Sequence, residues 1–146
     1  MINSILVVCI GNICRSPTAE ALLQTKLAAS GISVSSAGLG ALVGKGVYAT
    51  AAAVMADHGH QLPEHRARQL TPDMIQHADL VLTMEYKHIQ AIHAMAPHAR
   101  GKTMLLGKWL GDTEVPDPYR QQRPAFEHVF RILDQACDAW LPYLKH

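Results

Sequence analysis

The sequence predicts an α/β fold, a single three-layer domain in which a four-stranded parallel sheet is covered by helices on both faces. Short apolar segments alternate along the chain with longer helix-forming segments, an order typical of parallel strands joined by right-handed crossovers. Of the 146 residues, 49% are hydrophobic and 17% are charged, which indicates a globular chain rather than a disordered one. No linker, repeat or low-complexity segment interrupts the chain, so we expect one domain over residues 1–146.

Four segments have the length and composition of strands. Residues 5–8 are Ile-Leu-Val-Val, an apolar and β-branched run that predicts a buried strand. Residues 32–37 alternate between apolar and polar side chains, which predicts a second strand. Residues 79–84 and 102–106 are the third and fourth. We expect the sheet order 2-1-3-4, with ligands bound beyond the carboxyl ends of the strands.

The segments between the strands have helix-forming composition; they are residues 18–29, 47–58, 72–77, 85–95 and 124–144. For the first helix, Ser16 is a candidate N-cap, Pro17 suits the first helical position, and Glu20 can reach back toward the cap. The last helix is amphipathic. Its expected core face contains Phe126, Val129, Phe130, Leu133, Cys137, Trp140 and Leu141.

Charge and cysteine content exclude several classes of function. The formal net charge of +1 gives no basis for binding nucleic acid through bulk charge. No apolar run approaches the roughly 20 residues of a membrane span, and no basic leader precedes the first strand. The three cysteines form no C-x-x-C pair and have no zinc spacing, so we expect free thiols in the cytoplasm.

The most informative stretch joins the first strand to the first helix and has the sequence Cys9-Ile10-Gly11-Asn12-Ile13-Cys14-Arg15-Ser16. Backbone N–H groups at a strand-to-helix turn converge on one point, where the helix N-terminus adds positive potential. The loop therefore predicts an anion site that contains a thiol.

Cys9 and Arg15 have complementary chemistry in such a loop. A helix N-terminus and a nearby cation lower a cysteine pKa from ~8.5 into the range of ~3.5–7.5, which favours the nucleophilic thiolate. Arg15 presents a planar fork that suits two oxygens of one phosphate. Ser16 is placed to donate its hydroxyl to the sulfur. The alternative interpretation is a buried cysteine at a strand end and a surface arginine, which is usual for either residue alone. A Walker-type nucleotide loop is excluded because no G-x-x-x-x-G-K-[ST] is present.

A thiolate that attacks phosphorus needs an acid to protonate the leaving oxygen. Asp117 is the best candidate because Pro116 and Pro118 stiffen the backbone around it, with Tyr119 following. The alternative interpretation of this segment is an ordinary Asp-Pro turn. Weaker candidates at the edges of predicted elements are Asp57, Asp79 and Asp112.

The stretch Cys9-Ile10-Gly11-Asn12-Ile13-Cys14-Arg15-Ser16-Pro17, together with Asp117-Pro118-Tyr119, resembles the low-molecular-weight protein tyrosine phosphatases. The resemblance covers essentially the whole chain. Residues 36–44 and 67–69 are similar to the bacterial branch associated with capsule and exopolysaccharide export. The resemblance implies a phosphotyrosine protein as substrate, namely a membrane tyrosine autokinase of the polysaccharide machinery. It implies no metal or other cofactor, and we expect a monomer.

The resemblance also implies a role for each motif residue. Cys9 would form a phosphocysteine, Arg15 and the loop amides would bind the phosphate, and Asp117 would act as acid and then as base. The residues implied to support the loop backbone are Asn12, Ser36 and His65, and those implied to line the slot for the aromatic ring are Ile13, Leu42 and Tyr119. Arg120 stands where animal members often have a second tyrosine, which argues against regulation by phosphorylation at that position.

Three other functions fit parts of the sequence less well. Arsenate reductases of this fold need two further cysteines, and only Cys137 lies outside the loop. Phosphoarginine phosphatases usually have threonine where Ile13 stands. A non-catalytic phosphate-binding module would need neither a nucleophile nor an acid. Two interpretations of Cys14 stay open, a packing residue beneath the loop or a partner that forms a reversible disulfide with oxidised Cys9.

Overall fold

The computed structural model describes residues 1–61 and 64–144, and its sheet has the predicted topology. All strand pairs are parallel, and the order is β2-β1-β3-β4. The strands are β1 (Ser4–Cys9), β2 (Ser33–Gly38), β3 (Leu80–Thr83) and β4 (Thr103–Leu105). In register, Cys9 lies beside Gly38 and Val8 beside Thr83, so three strands end together around the residue that begins the loop.

Within the part of the chain that the structure describes, five α-helices connect and cover the strands. They are α1 (Arg15–Lys26), α2 (Ala49–Asp57), α3 (Pro72–His77), α4 (Tyr86–Met95) and α5 (Arg123–Leu144). A 3-10 helix over Pro97–Lys102 leads into β4 and was not expected from the sequence. Pro97 follows Ala96, the C-cap of α4, and supplies the first residue of the 3-10 helix. The composition of residues 61–70 predicts a polar connection before α3, and part of it lies outside the described residues.

The predicted N-cap of α1 is wrong. The helix begins at Arg15, and Cys14 is the N-cap residue, with no side-chain cap. Ser16 directs its hydroxyl at the Cys9 sulfur instead, and Glu20 binds Ser36 rather than reaching the cap. Pro17 still lies in the first turn of α1, where N–H groups have no acceptor within the helix, so a proline there costs no hydrogen bond.

The core has two halves, one on each face of the sheet. Side chains alternate between faces along a strand, so Ile5 and Val7 of β1 pack with α1, α2 and α5, whereas Leu6 and Val8 pack with α3 and α4. This arrangement confirms the predicted three-layer fold. Within residues 1–61 and 64–144, no helix combines the length and apolar character that crossing a bilayer requires.

Gly38, the last residue of β2, allows the loop after β1 to pack closely against the sheet edge. A Cβ atom at this position would collide with the Ile10 carbonyl oxygen and crowd the backbone of Asn12. Close approach of two backbones is a common reason for glycine at a strand end. The glycine therefore helps to fix the position of the loop that contains Cys9.

Candidate active site

The loop from Cys9 to Arg15 (hereafter the phosphate loop) has its carbonyl groups turned outward. The carbonyls of Cys9, Ile10, Gly11 and Ile13 accept hydrogen bonds from the amides of Leu39, Gly40, Leu42 and Tyr48 at 2.9, 3.0, 3.0 and 2.7 Å. The Asn12 carbonyl accepts from Nε2 of His65 at 2.6 Å. In a trans peptide the N–H points opposite to the C=O. The amides of residues 10–14 therefore face the interior of the loop and form an anion-binding nest.

Asn12 occupies the left-handed backbone region that this curvature requires. Its φ is 57°, and its side chain is fully buried. Its Nδ2 donates to Ser16 Oγ at 2.8 Å and to Ser36 Oγ at 2.9 Å, and its Oδ1 accepts from the Arg68 amide at 3.0 Å. Asparagine tolerates this conformation better than most residues do, and here both ends of its side chain hold it in place.

A carboxylate sets the direction of the hydrogen bonds beneath the loop. Glu20 Oε1 lies 2.5 Å from Ser36 Oγ, and a carboxylate only accepts, so Ser36 gives its hydrogen to Glu20. Asn12 supplies a hydrogen to each serine. The hydrogen of Ser16 is therefore free for the Cys9 sulfur, which lies 2.9 Å away. A donor at this position stabilises the thiolate.

Hydrogen bonds to Glu85 and Val115 fix the guanidinium of Arg15 on one side. Arg15 is 2% exposed, and its NH1 group donates to Glu85 Oε2 at 2.7 Å and to the Val115 carbonyl at 2.8 Å. Its NH2 group lies 3.7 Å from Asp117 Oδ2. The guanidinium plane is thus held in one orientation, with remaining donors available to a bound oxyanion.

Glu85 and His88 form the support behind Arg15. Burial opposes the Glu85 charge, but the hydrogen bond and charge of Arg15 outweigh it and lower the pKa of the carboxyl. Burial, aided by the Arg15 charge, lowers the pKa of His88 to about 4, so this imidazole is neutral near pH 7. Its Nδ1 accepts from the Glu85 amide at 3.2 Å, which leaves the proton on Nε2, 3.5 Å from Glu85 Oε2. Among the described residues that Nε2 has no hydrogen-bond partner.

Asp117 is presented to the pocket by a turn of its own. Its Oδ1 accepts from the Tyr119 amide at 3.0 Å, and its carbonyl accepts from Gln121 Nε2 at 3.0 Å. Its Oδ2 is directed toward Arg15. Two of the other candidate acids are engaged elsewhere: Asp57 pairs with Arg123, and Asp79 accepts the amides at the start of β1, at the opposite edge of the sheet. The third, Asp112, does not line the pocket that contains Cys9.

A pocket of about 260 Å³ opens above the phosphate loop. It is lined by Cys9, Ile10, Gly11, Ile13, Cys14, Arg15, Gly40, Leu42, Asp117, Tyr119 and Arg120. The structure thus brings the three predicted slot residues to one cavity with the thiol. Asn12, Ser16 and Ser36 are buried beneath the loop. Arg120 has a φ of 65° and places its guanidinium 5.2 Å from the centre of the Tyr119 ring.

The other two cysteines are buried thiols. Burial, together with the charge of Cys9, raises the pKa of Cys14 to about 12, so Cys14 keeps its proton near pH 7. Burial also raises the pKa of Cys137, which lies wholly within the core. Cys14 therefore is no competing nucleophile, and its disulfide with oxidised Cys9 stays a prediction.

The structure adds site residues that the sequence reasoning missed, above all Glu20, Glu85 and the amide of Arg68. A signal for Glu85 was present in the sequence. It follows β3, the strand paired with β1, so it had to lie at the same carboxyl edge as Cys9. Glu20 carried no comparable signal, because it lies on α1, its partner Ser36 lies on β2, and no sequence pattern links the two.

The sequence and the fold of this chain are similar to those of known proteins over nearly their whole length. A family model described as low molecular weight phosphotyrosine protein phosphatase matches residues 4–146. The low molecular weight protein-tyrosine-phosphatase Etp of Escherichia coli K12 is 52% identical over 143 residues, which are 98% of this chain and 95% of that protein. The crystal structure of tyrosine phosphatase AmsI of Erwinia amylovora has a TM-score of 0.95 at 49% identity, covering 100% of this chain and 95% of that chain. The tyrosine phosphatase Wzb of Escherichia coli K30, solved with sulphate, has a TM-score of 0.95 at 45% identity, covering 99% of both chains.

Proposed function

Because the chain belongs to the low molecular weight phosphotyrosine protein phosphatase family, we propose that it hydrolyses phosphotyrosine through a phosphocysteine at Cys9. The observation that supports this mechanism is the meeting of three groups in one pocket. Cys9 lies at the base, Arg15 lies beside it, and Asp117 enters from a second loop about a hundred residues away in sequence.

In the first step the phosphate loop amides and Arg15 bind the phosphoryl oxygens. The Cys9 thiolate attacks phosphorus in line, so an S–P bond forms as the bond from phosphorus to the phenolic oxygen breaks. Asp117 gives its proton to that oxygen, and the phenol leaves neutral. Charge spread over the equatorial phosphoryl oxygens is stabilised by donors that are already oriented.

In the second step water replaces the phenol. The Asp117 carboxylate takes a proton from the water as its oxygen bonds to phosphorus, and the S–P bond breaks to return the thiolate. The hydrogen bond from Ser16 stabilises the sulfur anion both as attacking group and as leaving group. Inorganic phosphate is the product, and the protonated Asp117 is restored for the next turnover.

The pocket lining favours an aromatic phosphate ester. Ile13 and Leu42 supply apolar surface, and Tyr119 supplies a ring at the mouth. Arsenate reduction by a cysteine relay is disfavoured because Cys137, the third thiol, is buried in the core. The resemblance of residues 36–44 and 67–69 to the bacterial polysaccharide branch supports a membrane tyrosine autokinase as the physiological substrate. We place this activity at the cytoplasmic side of that kinase.

Hydrolysis of p-nitrophenyl phosphate in the presence of a metal chelator tests the chemistry. Wild type should turn over, and the Cys9→Ser variant should not. Turnover by the Cys9→Ser variant at the wild-type rate would overturn the assignment of the nucleophile. For the substrate, a tyrosine kinase encoded beside this gene, isolated in its autophosphorylated form, should lose phosphotyrosine on incubation with wild type. An unchanged phosphotyrosine signal would contradict the autokinase assignment while leaving the chemistry intact.

A further inference from the structure

We propose that Tyr48 is a positioning residue that holds the aromatic side of the substrate slot and so determines the preference for aryl phosphates. The inference rests on the proposed function. Tyr48 precedes α2 in the chain and does not line the pocket, yet it contacts both loops that form it.

On one side Tyr48 joins the phosphate loop. Its amide donates to the Ile13 carbonyl at 2.7 Å, the shortest of the backbone hydrogen bonds that turn the loop carbonyls outward. This bond belongs to the backbone, so it survives a change of side chain. The Tyr48 side chain also provides no cap to α2. Substitution therefore tests the ring alone.

On the other side the Tyr48 ring joins the loop of Asp117. It stacks on Phe126 of α5 with ring centres 5.5 Å apart and planes 3° apart, and Phe126 is 2% exposed. The edge-to-face contact with Tyr119 has a centre distance of 5.4 Å and an angle of 70°. A core residue thus fixes Tyr48, and Tyr48 in turn fixes Tyr119, which is 37% exposed and lines the slot.

The contact between Tyr48 and Tyr119 also bears on the orientation of Asp117. The Tyr119 amide holds Asp117 Oδ1 at 3.0 Å, which leaves Oδ2 directed at the pocket. If the Tyr119 ring loses its support, both the slot wall and the orientation of Asp117 loosen. The amides and Arg15 that bind phosphate are anchored by other contacts, namely Glu85 and Val115 for the guanidinium. The ring of Tyr48 therefore affects binding of the aryl group and leaves binding of the phosphate alone unchanged.

Steady-state kinetics on phenyl phosphate, with inorganic phosphate as a competitive inhibitor, separate these effects. Because Tyr48→Ala removes the aromatic contacts that support Tyr119, we expect the KM for phenyl phosphate to rise about threefold to tenfold. The inhibition constant of inorganic phosphate should stay within about twofold of wild type, and Tyr48→Phe, which keeps both ring contacts, should restore KM. In a Tyr119→Ala background, Tyr48→Ala should add less than about twofold, because the two residues act as one unit.

The control is Tyr143→Ala. Tyr143 stacks on Trp109 at 3.9 Å outside the pocket lining, so its loss should leave KM unchanged. An equal weakening of phenyl phosphate and inorganic phosphate by Tyr48→Ala would overturn the proposal, as would full additivity with Tyr119→Ala or an unchanged KM. If Tyr48→Ala does not fold, Tyr48→Leu serves the same comparison. Absence of turnover by wild type would count against the proposed function instead, so the two failures are distinguishable.

Discussion

Replacing His88 with asparagine should flatten the pH dependence of the free energy of unfolding between pH 6.5 and about 4. His88 is fully buried, and its Nδ1 accepts a hydrogen bond from the Glu85 amide. Protonation at Nδ1 would remove that acceptor and place a cation near Arg15. The other charged groups that act on His88 are Glu85, Lys87 and Asp117, and their effects are smaller than those of burial and Arg15 taken together.

The sign follows from proton uptake. The ordinary pKa of 6.5 applies to the unfolded chain, and burial lowers the pKa of His88 to about 4 in the folded protein. Within this window the unfolded chain binds more protons, so the free energy of unfolding falls as the pH falls. The gap between the two pKa values corresponds to about 3 kcal/mol, which is fully present above pH 6.5 and fully lost below about pH 4.

Urea unfolding at a series of pH values measures this effect. Asparagine does not titrate, and its side-chain oxygen can still accept the Glu85 amide. Any cavity that it leaves lowers stability equally at every pH, so the slope is the informative quantity. His98→Asn is the matched control for the exchange itself, because His98 is exposed. The reasoning is refuted if His88→Asn and wild type lose the same free energy between neutral pH and pH about 4.5.

Three further predictions concern the loop and the acid. Asp117→Asn should lower kcat/KM for phenyl phosphate by about 10²–10⁴-fold, the usual contribution of general acid catalysis, and a loss below about tenfold would argue for another donor. Gly38→Ala should weaken inhibition by inorganic phosphate, because the added Cβ displaces the Ile10 carbonyl; unchanged inhibition would show that the loop does not depend on this close approach. Cys14→Ser should make inactivation by peroxide harder to reverse with dithiothreitol, whereas equal recovery of the variant and wild type would exclude a protective disulfide with Cys9.

The local features of the site could be predicted from the sequence because they follow from residue type and spacing. The run from Cys9 to Arg15 places a thiol, a loop and a helix start in one short stretch, so the predicted anion site needs no knowledge of distant contacts. The structure also confirms the expected sheet order 2-1-3-4.

The contact behind Arg15 and the N-cap of α1 were not predicted, because they depend on tertiary packing. The sequence allows two uses of Ser16, as an N-cap and as a donor to the Cys9 sulfur; in the fold Ser16 is the donor, and α1 begins at Arg15 with Cys14 as its N-cap. Glu85 is 70 residues from Arg15 in sequence, and only the β1–β3 pairing brings the two together. Local propensity shows which structures a residue favours, and tertiary contacts can override that preference.

Mass spectrometry of the protein, quenched with denaturant during turnover of phenyl phosphate, tests for the phosphocysteine at Cys9. We expect one added phosphoryl group on the peptide that contains Cys9, labile as a thiophosphate ester is, and absent from the Cys9→Ser variant. With p-nitrophenyl phosphate, whose leaving group does not depend on a proton from Asp117, its steady-state level should rise in Asp117→Asn, because hydrolysis of the intermediate then slows. A phosphoryl group on any other residue, or rapid turnover by wild type with none detectable during the reaction, would contradict a phosphocysteine intermediate at Cys9.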